Sequence, residues 1–206
     1  KRALYAEIEP RMHPDALLAT NTSSIPLEAL SKGLTRPGRL VGLHFFNPVA
    51  KMPLIEIVHD ERSEAAMVTR AAAFARHIDK LPLKVRSSPG FLVNRVLMPY
   101  LLEAVELVEQ GIAAPIVDRA ALRFGMPMGP IELADTVGLD ICLSVAEKMS
   151  AALDNPVPKR LRVLVDADKL GRKSGQGFYQ WKDGRVVKQT DTTQGALADE
   201  DISDRL

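Results

Sequence analysis

Hydrophobic spacing along this chain changes from a strand-like to a helix-like period near residue 88, and the change predicts two domains of different class. At the start, Leu4, Ile8 and Met12 recur every four residues and predict a helix over 1–12, followed by a turn at His13-Pro14-Asp15. Leu17-Leu18-Ala19-Thr20 is short and apolar and runs into a polar cluster over 21–24, the pattern of a buried strand that delivers its loop to a binding face. Ser24 is the expected N-cap of the next helix, with Pro26 in its first turn and Leu27 and Leu30 on its apolar side. Strands are expected over 40–46 and 54–58. Ser63 then caps a helix with Met67, Ala71, Phe74 and Ile78 as its stripe, and a last short strand covers 81–85.

Past Ser87-Ser88-Pro89-Gly90 the pattern is helical for about 80 residues, so the boundary is placed there. Leu97, Leu101, Val105 and Val108 line a helix that Gly111 ends, with Pro99 in its opening turn or at a kink. Ile116, Ala120 and Phe124 line a second helix, ended by Gly125, and Pro127-Met128-Gly129-Pro130 makes a rigid turn into a third over 131–137. Further helices are expected over 139–153 and 158–169, then a loop over 171–177 and a hairpin at Trp181-Lys182-Asp183-Gly184. The reading is α/β plus all-α: residues 1–87, an α/β domain; 88–182, a helical domain; and 183–206, a polar tail or linker.

Composition narrows the function classes. The 206 residues carry 27 Lys and Arg against 26 Asp and Glu, so no whole-chain field would gather nucleic acid or an anionic membrane. Nowhere do 18 apolar residues run together, and no membrane span is expected. Cys142 is the only cysteine, which excludes an internal disulfide and suits a reducing compartment. The four histidines are too far apart for a helical ligand pair, so no metal is expected. The match of Asn21-Thr22-Ser23 to a glycosylation sequon is read as accidental.

Candidate chemistry centres on His44 and Glu56. Imidazole titrates near neutrality, at about 6.5 in the unperturbed case, and a carboxylate beside it fixes its tautomer and stabilises the imidazolium formed when it takes a proton. Glu56 stands in a strand between Ile55 and Ile57, where an unpaired charge would cost several kcal/mol, so it needs a partner. Taken alone, His44 among Leu43, Phe45 and Phe46 also reads as a satisfied core histidine. Ser23 has a rival role as a turn residue, and Asn94 one as a helix-start residue beside the domain junction. Gly175-Gln176-Gly177 lacks the third glycine and the strand-turn-helix setting of a phosphate loop and reads as a turn.

Four segments together, Asn21-Thr22-Ser23-Ser24, Gly42-Leu43-His44-Phe45-Phe46-Asn47-Pro48, Pro89-Gly90-Phe91-Leu92-Val93-Asn94-Arg95 and Pro127-Met128-Gly129-Pro130, resemble the 3-hydroxyacyl-CoA dehydrogenases. The run from Gly171 to Tyr179 resembles the segment that closes that family's helical domain. The resemblance implies the C-terminal part of a Rossmann-like nucleotide-binding domain, then the family's helical C-terminal domain. It implies NAD-dependent oxidation of L-3-hydroxyacyl-CoA to 3-ketoacyl-CoA in fatty-acid β-oxidation, with His44 as base, Glu56 orienting it, and Ser23 and Asn94 hydrogen-bonding the reacting oxygen. Lys1, Asn21 and Ser23 match family positions near the nicotinamide and its ribose.

The family's opening strand, GxGxxG turn and acidic ribose-binding residue do not occur in this sequence, which starts at Lys1 without a methionine. The chain therefore reads as a piece of a longer polypeptide, and on its own is expected to bind NAD weakly and to turn over little. The run from Leu197 to Leu206 resembles a linker to a second helical repeat, as in the α subunit of multifunctional fatty-acid oxidation proteins; the single-function dehydrogenase is the rival parent. Such a parent is cytoplasmic if bacterial, and mitochondrial or peroxisomal if eukaryotic. Expected partners are an acyl-CoA substrate and either a second copy, through the helical domain, or other β-oxidation domains or subunits. Two alternatives stand beside this reading: a non-catalytic assembly module, and a Ser23-His44-Glu56 acyl-CoA hydrolase, disfavoured because Thr22 and Ser24 replace the small neighbours of a nucleophile elbow.

Overall fold

The computed structural model describes residues 1–22, 25–153, 156–187 and 199–206, with the side chains of 151–153 and 199 left aside. It divides into two compact units, Lys1–Val93 and Asn94–Leu206.

The first unit is a four-stranded sheet with helices on both faces. Helix α1 (Arg2–Ile8) continues as a 3-10 turn, Glu9–Arg11, and leads to β1 (Leu18–Thr20). Helix α2 (Leu27–Leu30), strands β2 (Leu40–Phe45) and β3 (Leu54–His59), helix α3 (Ala65–His77) and strand β4 (Leu81–Arg86) follow. The strand order is β1-β2-β3-β4. β1 runs parallel to β2 and β3 parallel to β4, but β2 and β3 are antiparallel. The loop over 46–53 is too short for a crossover to a parallel neighbour, so β3 must turn back beside β2.

Alternation along the strands sorts the core into two layers. Val41, Leu43, Ile55 and Ile57 face α3 and pack on Met67, Val68, Ala71, Ala72 and Ala75. Leu40, Val58 and Val85 face the other way, with Tyr5, Leu18, Leu27, Leu30 and Phe91. His44 and Glu56 share the parity of Leu40 and Val58, so they belong to this second layer.

Three helix stripes differ from the sequence expectation. In the first, Leu4 is 53% exposed and the buried positions are Tyr5 and Glu9. The Tyr5 hydroxyl donates to Thr20 Oγ1 at 2.7 Å, and the Glu9 carboxylate accepts the Thr35 and Arg36 N–H groups at 2.7 and 2.8 Å. In α3 the alanines face the sheet and Phe74 is exposed, because close helix-to-sheet approach selects small side chains. In the helix Ala114–Phe124 of the second unit, Phe124 is exposed as well. Caps differ too. Pro26, not Ser24, is the N-cap of α2, and the Leu27 N–H is met by Ser87 Oγ at 3.0 Å; Ser24 itself lies outside the described residues. Glu64 occupies the N-cap of α3, while Ser63 bonds Asp60 in the preceding turn.

The second unit is built from α4 (Val93–Glu109), α5 (Ala114–Phe124), α6 (Pro130–Val137), α7 (Leu139–Leu153) and α8 (Lys159–Asp166), then the hairpin β5 (Trp181–Lys182) and β6 (Arg185–Val186), and α9 (Asp199–Arg205). Pro99 stands inside α4. The expectation of a polar tail or linker over 183–206 fails at its end: Ile202 is fully buried in the helical core, and Arg205 pairs with Glu103 at 2.6 Å. Residues 188–198 of that expected tail lie outside the described residues.

Two buried aspartates organise this unit. Asp135 accepts the Phe178 and Tyr179 N–H groups and the Trp181 indole N–H at 3.0, 2.9 and 2.9 Å. A Cβ on Gly177 would stand 2.1 Å from its Oδ1, which explains that glycine without any phosphate. Asp118 accepts the Ile131 and Glu132 N–H groups at 2.7 and 3.0 Å and the Tyr179 hydroxyl at 2.7 Å, tying α5 to the start of α6. Burial pushes its carboxyl up to about 6 against these donors, with the Glu132 charge adding to the rise. The folded state then holds the proton more tightly than the unfolded chain does. The associated stability is complete below pH about 4 and is lost as pH rises through about 6. Across that window the melting temperature of wild type is expected to fall relative to that of Asp118→Asn; parallel curves would contradict it.

Candidate active site

The site is built at a cross-strand pair. In the β2–β3 ladder His44 lies directly opposite Glu56, so two residues 12 apart in sequence meet side by side on one face. Gly42 is paired with Val58, whose Cβ would be 2.6 Å from any Cβ at residue 42, so glycine allows the strands their close approach beside the pair.

His44 Nδ1 and Glu56 Oε2 are 2.6 Å apart, with His44 6% exposed and Glu56 fully buried. The other carboxylate oxygen, Oε1, accepts the Leu92 and Val93 backbone N–H groups at 3.0 and 2.9 Å. Burial alone would raise the Glu56 carboxyl. The His44 hydrogen bond and the two N–H donors outweigh it and hold the group below the usual glutamate range. Glu56 is thus ionised near neutrality and has no proton to give. Nδ1 must therefore be the donor, which leaves Nε2 of the neutral ring as the proton acceptor.

A tight turn delivers these donors. Gly90 and Phe91 both adopt positive φ, 75° and 52°, and the Phe91 N–H bonds Ser88 O at 2.9 Å. For phenylalanine this conformation is uncommon. It places the Phe91 ring edge-on to His44 with centroids 5.4 Å apart, while the next two amides meet Glu56. Phe46 adds a second edge-on contact at 4.8 Å. The imidazole is therefore fixed by one charged hydrogen bond and two aromatic rings.

The other expected site residues fall as follows. Asn21 lies just past the carboxyl end of β1, its Oδ1 3.5 Å from the Phe45 N–H, and Lys1 Nζ reaches the Asn21 carbonyl at 3.5 Å. Both are exposed, at the end of the β1–β2 pair that carries His44. Ser23 lies outside the described residues. Asn94 opens the second unit in the first turn of α4. Sequence reasoning missed the Leu92 and Val93 amides and the packing roles of Phe46 and Phe91. Only the phenylalanines beside His44 and the Pro-Gly turn hinted at them. Among the described residues there is no cluster of three or more His, Cys, Asp or Glu that could hold a metal, and no helix is long and apolar enough to cross a membrane.

Comparison with known proteins matches this architecture in both units. Residues 1–88 match the family model for the 3-hydroxyacyl-CoA dehydrogenase NAD binding domain, and 90–181 that for the 3-hydroxyacyl-CoA dehydrogenase C-terminal domain. The chain is 39% identical over 98% of its length to the fatty acid oxidation complex subunit alpha of Pseudomonas putida (strain GB-1), and spans 31% of that protein. Among solved structures it is similar to M. tuberculosis FadB2, at 39% identity and TM-score 0.81, covering 88% of this chain and 68% of that one. It is also similar to 3-hydroxybutyryl-CoA dehydrogenase from Escherichia coli K12, at 37% identity and TM-score 0.83, covering 97% of this chain and 43% of that one. With both units matched and the His44–Glu56 pair set in a nucleotide-binding type of sheet, the chain belongs to the 3-hydroxyacyl-CoA dehydrogenase family.

Proposed function

We propose that this chain forms the base-bearing part of an enzyme that oxidises L-3-hydroxyacyl-CoA to 3-ketoacyl-CoA with NAD in fatty-acid β-oxidation. The observation that carries the reading is the 2.6 Å contact between a buried imidazole nitrogen and a buried, ionised carboxylate. His44 Nε2 takes the proton of the 3-hydroxyl, and Glu56 stabilises the imidazolium that forms. Asn94 and Ser23 hydrogen-bond the reacting oxygen as it becomes a carbonyl. When bound, NAD accepts the hydride from C3.

The residues present fit that cofactor. Lys1 and Asn21 offer an ammonium and an amide beyond the carboxyl end of a parallel strand pair, the edge at which sheets of this type hold nucleotides. With Ser23 they would hold the nicotinamide end. In this reading the chain is part of a longer multifunctional polypeptide of a bacterial cytoplasm; it spans 31% of the Pseudomonas putida subunit alpha that it matches. Pairing through the helical unit, or with other β-oxidation domains, is the expected assembly; exposed Val96, Phe124 and Val163 in that unit favour it.

The test is NADH formation from L-3-hydroxyacyl-CoA by the chain alone and by the chain joined behind a relative's GxGxxG-bearing segment. Turnover by the joined protein, with far less from the chain alone, is expected. Absence of turnover, with stoichiometric labelling of Ser23 by a serine-reactive probe, would point to the hydrolase instead.

A further inference from the structure

The loop over 46–53 carries Phe46 against the His44 ring, yet residues 47–53 are all exposed. Val49 and Met52 remain 44% and 37% exposed, so apolar burial does not fix the loop. Its own turn bonds, from the Lys51 and Met52 N–H groups to Pro48 O at 2.9 and 3.0 Å, shape it without attaching it to the rest of the unit. Among the described residues, the hydrogen bonds that attach it come from one place. Lys80 Nζ donates to Val49 O at 2.6 Å and to Met52 O at 2.9 Å, and the adjacent Leu81 N–H donates to Pro53 O at 2.8 Å. Lys80 is itself held where α3 turns into β4, its N–H on Ala75 O at 2.9 Å and Asp79 before it at φ 56°.

We propose that Lys80 is a positioning residue for the His44 base: by holding the carbonyls of Val49 and Met52 it fixes the 46–53 loop and, through Phe46, the orientation of the imidazole. The proposal rests on the reading of His44 as the base. Leu81 contributes a neutral backbone bond that any residue there would make, whereas the two charge-assisted bonds depend on the lysine side chain.

The experiment reads the His44 ring by ¹⁵N NMR in the chain itself, for wild type, Lys80→Met, Lys80→Gln, Lys80→Arg and, as a control on the neighbouring strand β4, Lys84→Met. Lys80→Met is expected to shift and broaden the His44 ring signals. Lys80→Gln, which keeps one donor and covers a failure of the methionine variant to fold, gives a smaller shift; Lys80→Arg restores the wild-type signals and Lys84→Met leaves them unchanged. In the joined protein, Lys80→Met lowers kcat about tenfold with little change in KM, as expected when a reacting group is slightly misplaced. Wild-type ring signals in a folded Lys80→Met or Lys80→Gln protein would overturn the role of Lys80 and leave the base reading standing. Displaced ring signals with an unchanged kcat would remove His44 from the reaction, and the proposal with it.

Discussion

Replacing His44 with glutamine is expected to slow 3-hydroxyacyl-CoA oxidation about 10²- to 10⁴-fold, the range for a lost general base. Glutamine fills much of the imidazole's space and can still donate to Glu56, so the loss isolates proton transfer rather than packing. Its amide cannot accept a proton at neutral pH, which leaves water to take the hydroxyl proton without a positioned base. The interaction lost is made in the transition state, so kcat and kcat/KM should fall together and KM should change little. Steady-state NADH formation by the joined protein checks this. A fall of less than about tenfold would place the base elsewhere.

Glu56→Ala carries the largest expected cost to stability. The carboxylate is fully buried and satisfies three donors, His44 Nδ1–H and the Leu92 and Val93 N–H groups. Alanine leaves all three without an acceptor, and breaking a buried, hydrogen-bonded pair from one side costs about 3 to 5 kcal/mol. Glu56→Gln returns one acceptor oxygen and should recover part of that. The pH dependence has a definite sign. Because the folded carboxyl is held below its ordinary range, its contribution is present above the unfolded value, about 4.3, and is lost as pH falls through the folded one. Wild type should therefore lose stability on acidification more steeply than Glu56→Gln. Urea midpoints at neutral and acidic pH would show it, and equal acid slopes would contradict it.

Much of this site was legible in the sequence because a strand's period of two reveals which residues share a face. Glu56 between two isoleucines demanded a buried partner, and His44 on the preceding strand was the natural one. What it met on its other side was not legible. The Leu92 and Val93 amides are backbone groups with no signature, brought to the carboxylate by a turn in which phenylalanine takes a left-handed conformation. Helix faces were misread for a related reason. Helical spacing puts Leu4, Phe74 and Phe124 on the apolar stripes, but the faces that pack closely are marked by small or polar-anchored residues, Ala71, Ala72 and Ala75 in one case and Tyr5 with Glu9 in another. Ile202 escaped notice as a single apolar residue in a charged stretch, although it is fully buried. Nothing in the sequence sets Lys80 apart from a surface lysine; only the fold brings it to two carbonyl partners.

The most direct measurement of the central claim is the tautomer of His44, read from its ring ¹⁵N shifts near neutral pH. An ionised Glu56 against Nδ1 requires a proton on Nδ1, and in the neutral ring that leaves Nε2 unprotonated and able to receive the substrate's proton. A protonated Nε2 beside a bare Nδ1 would contradict the account, because the nitrogen meant to accept the proton would already hold one.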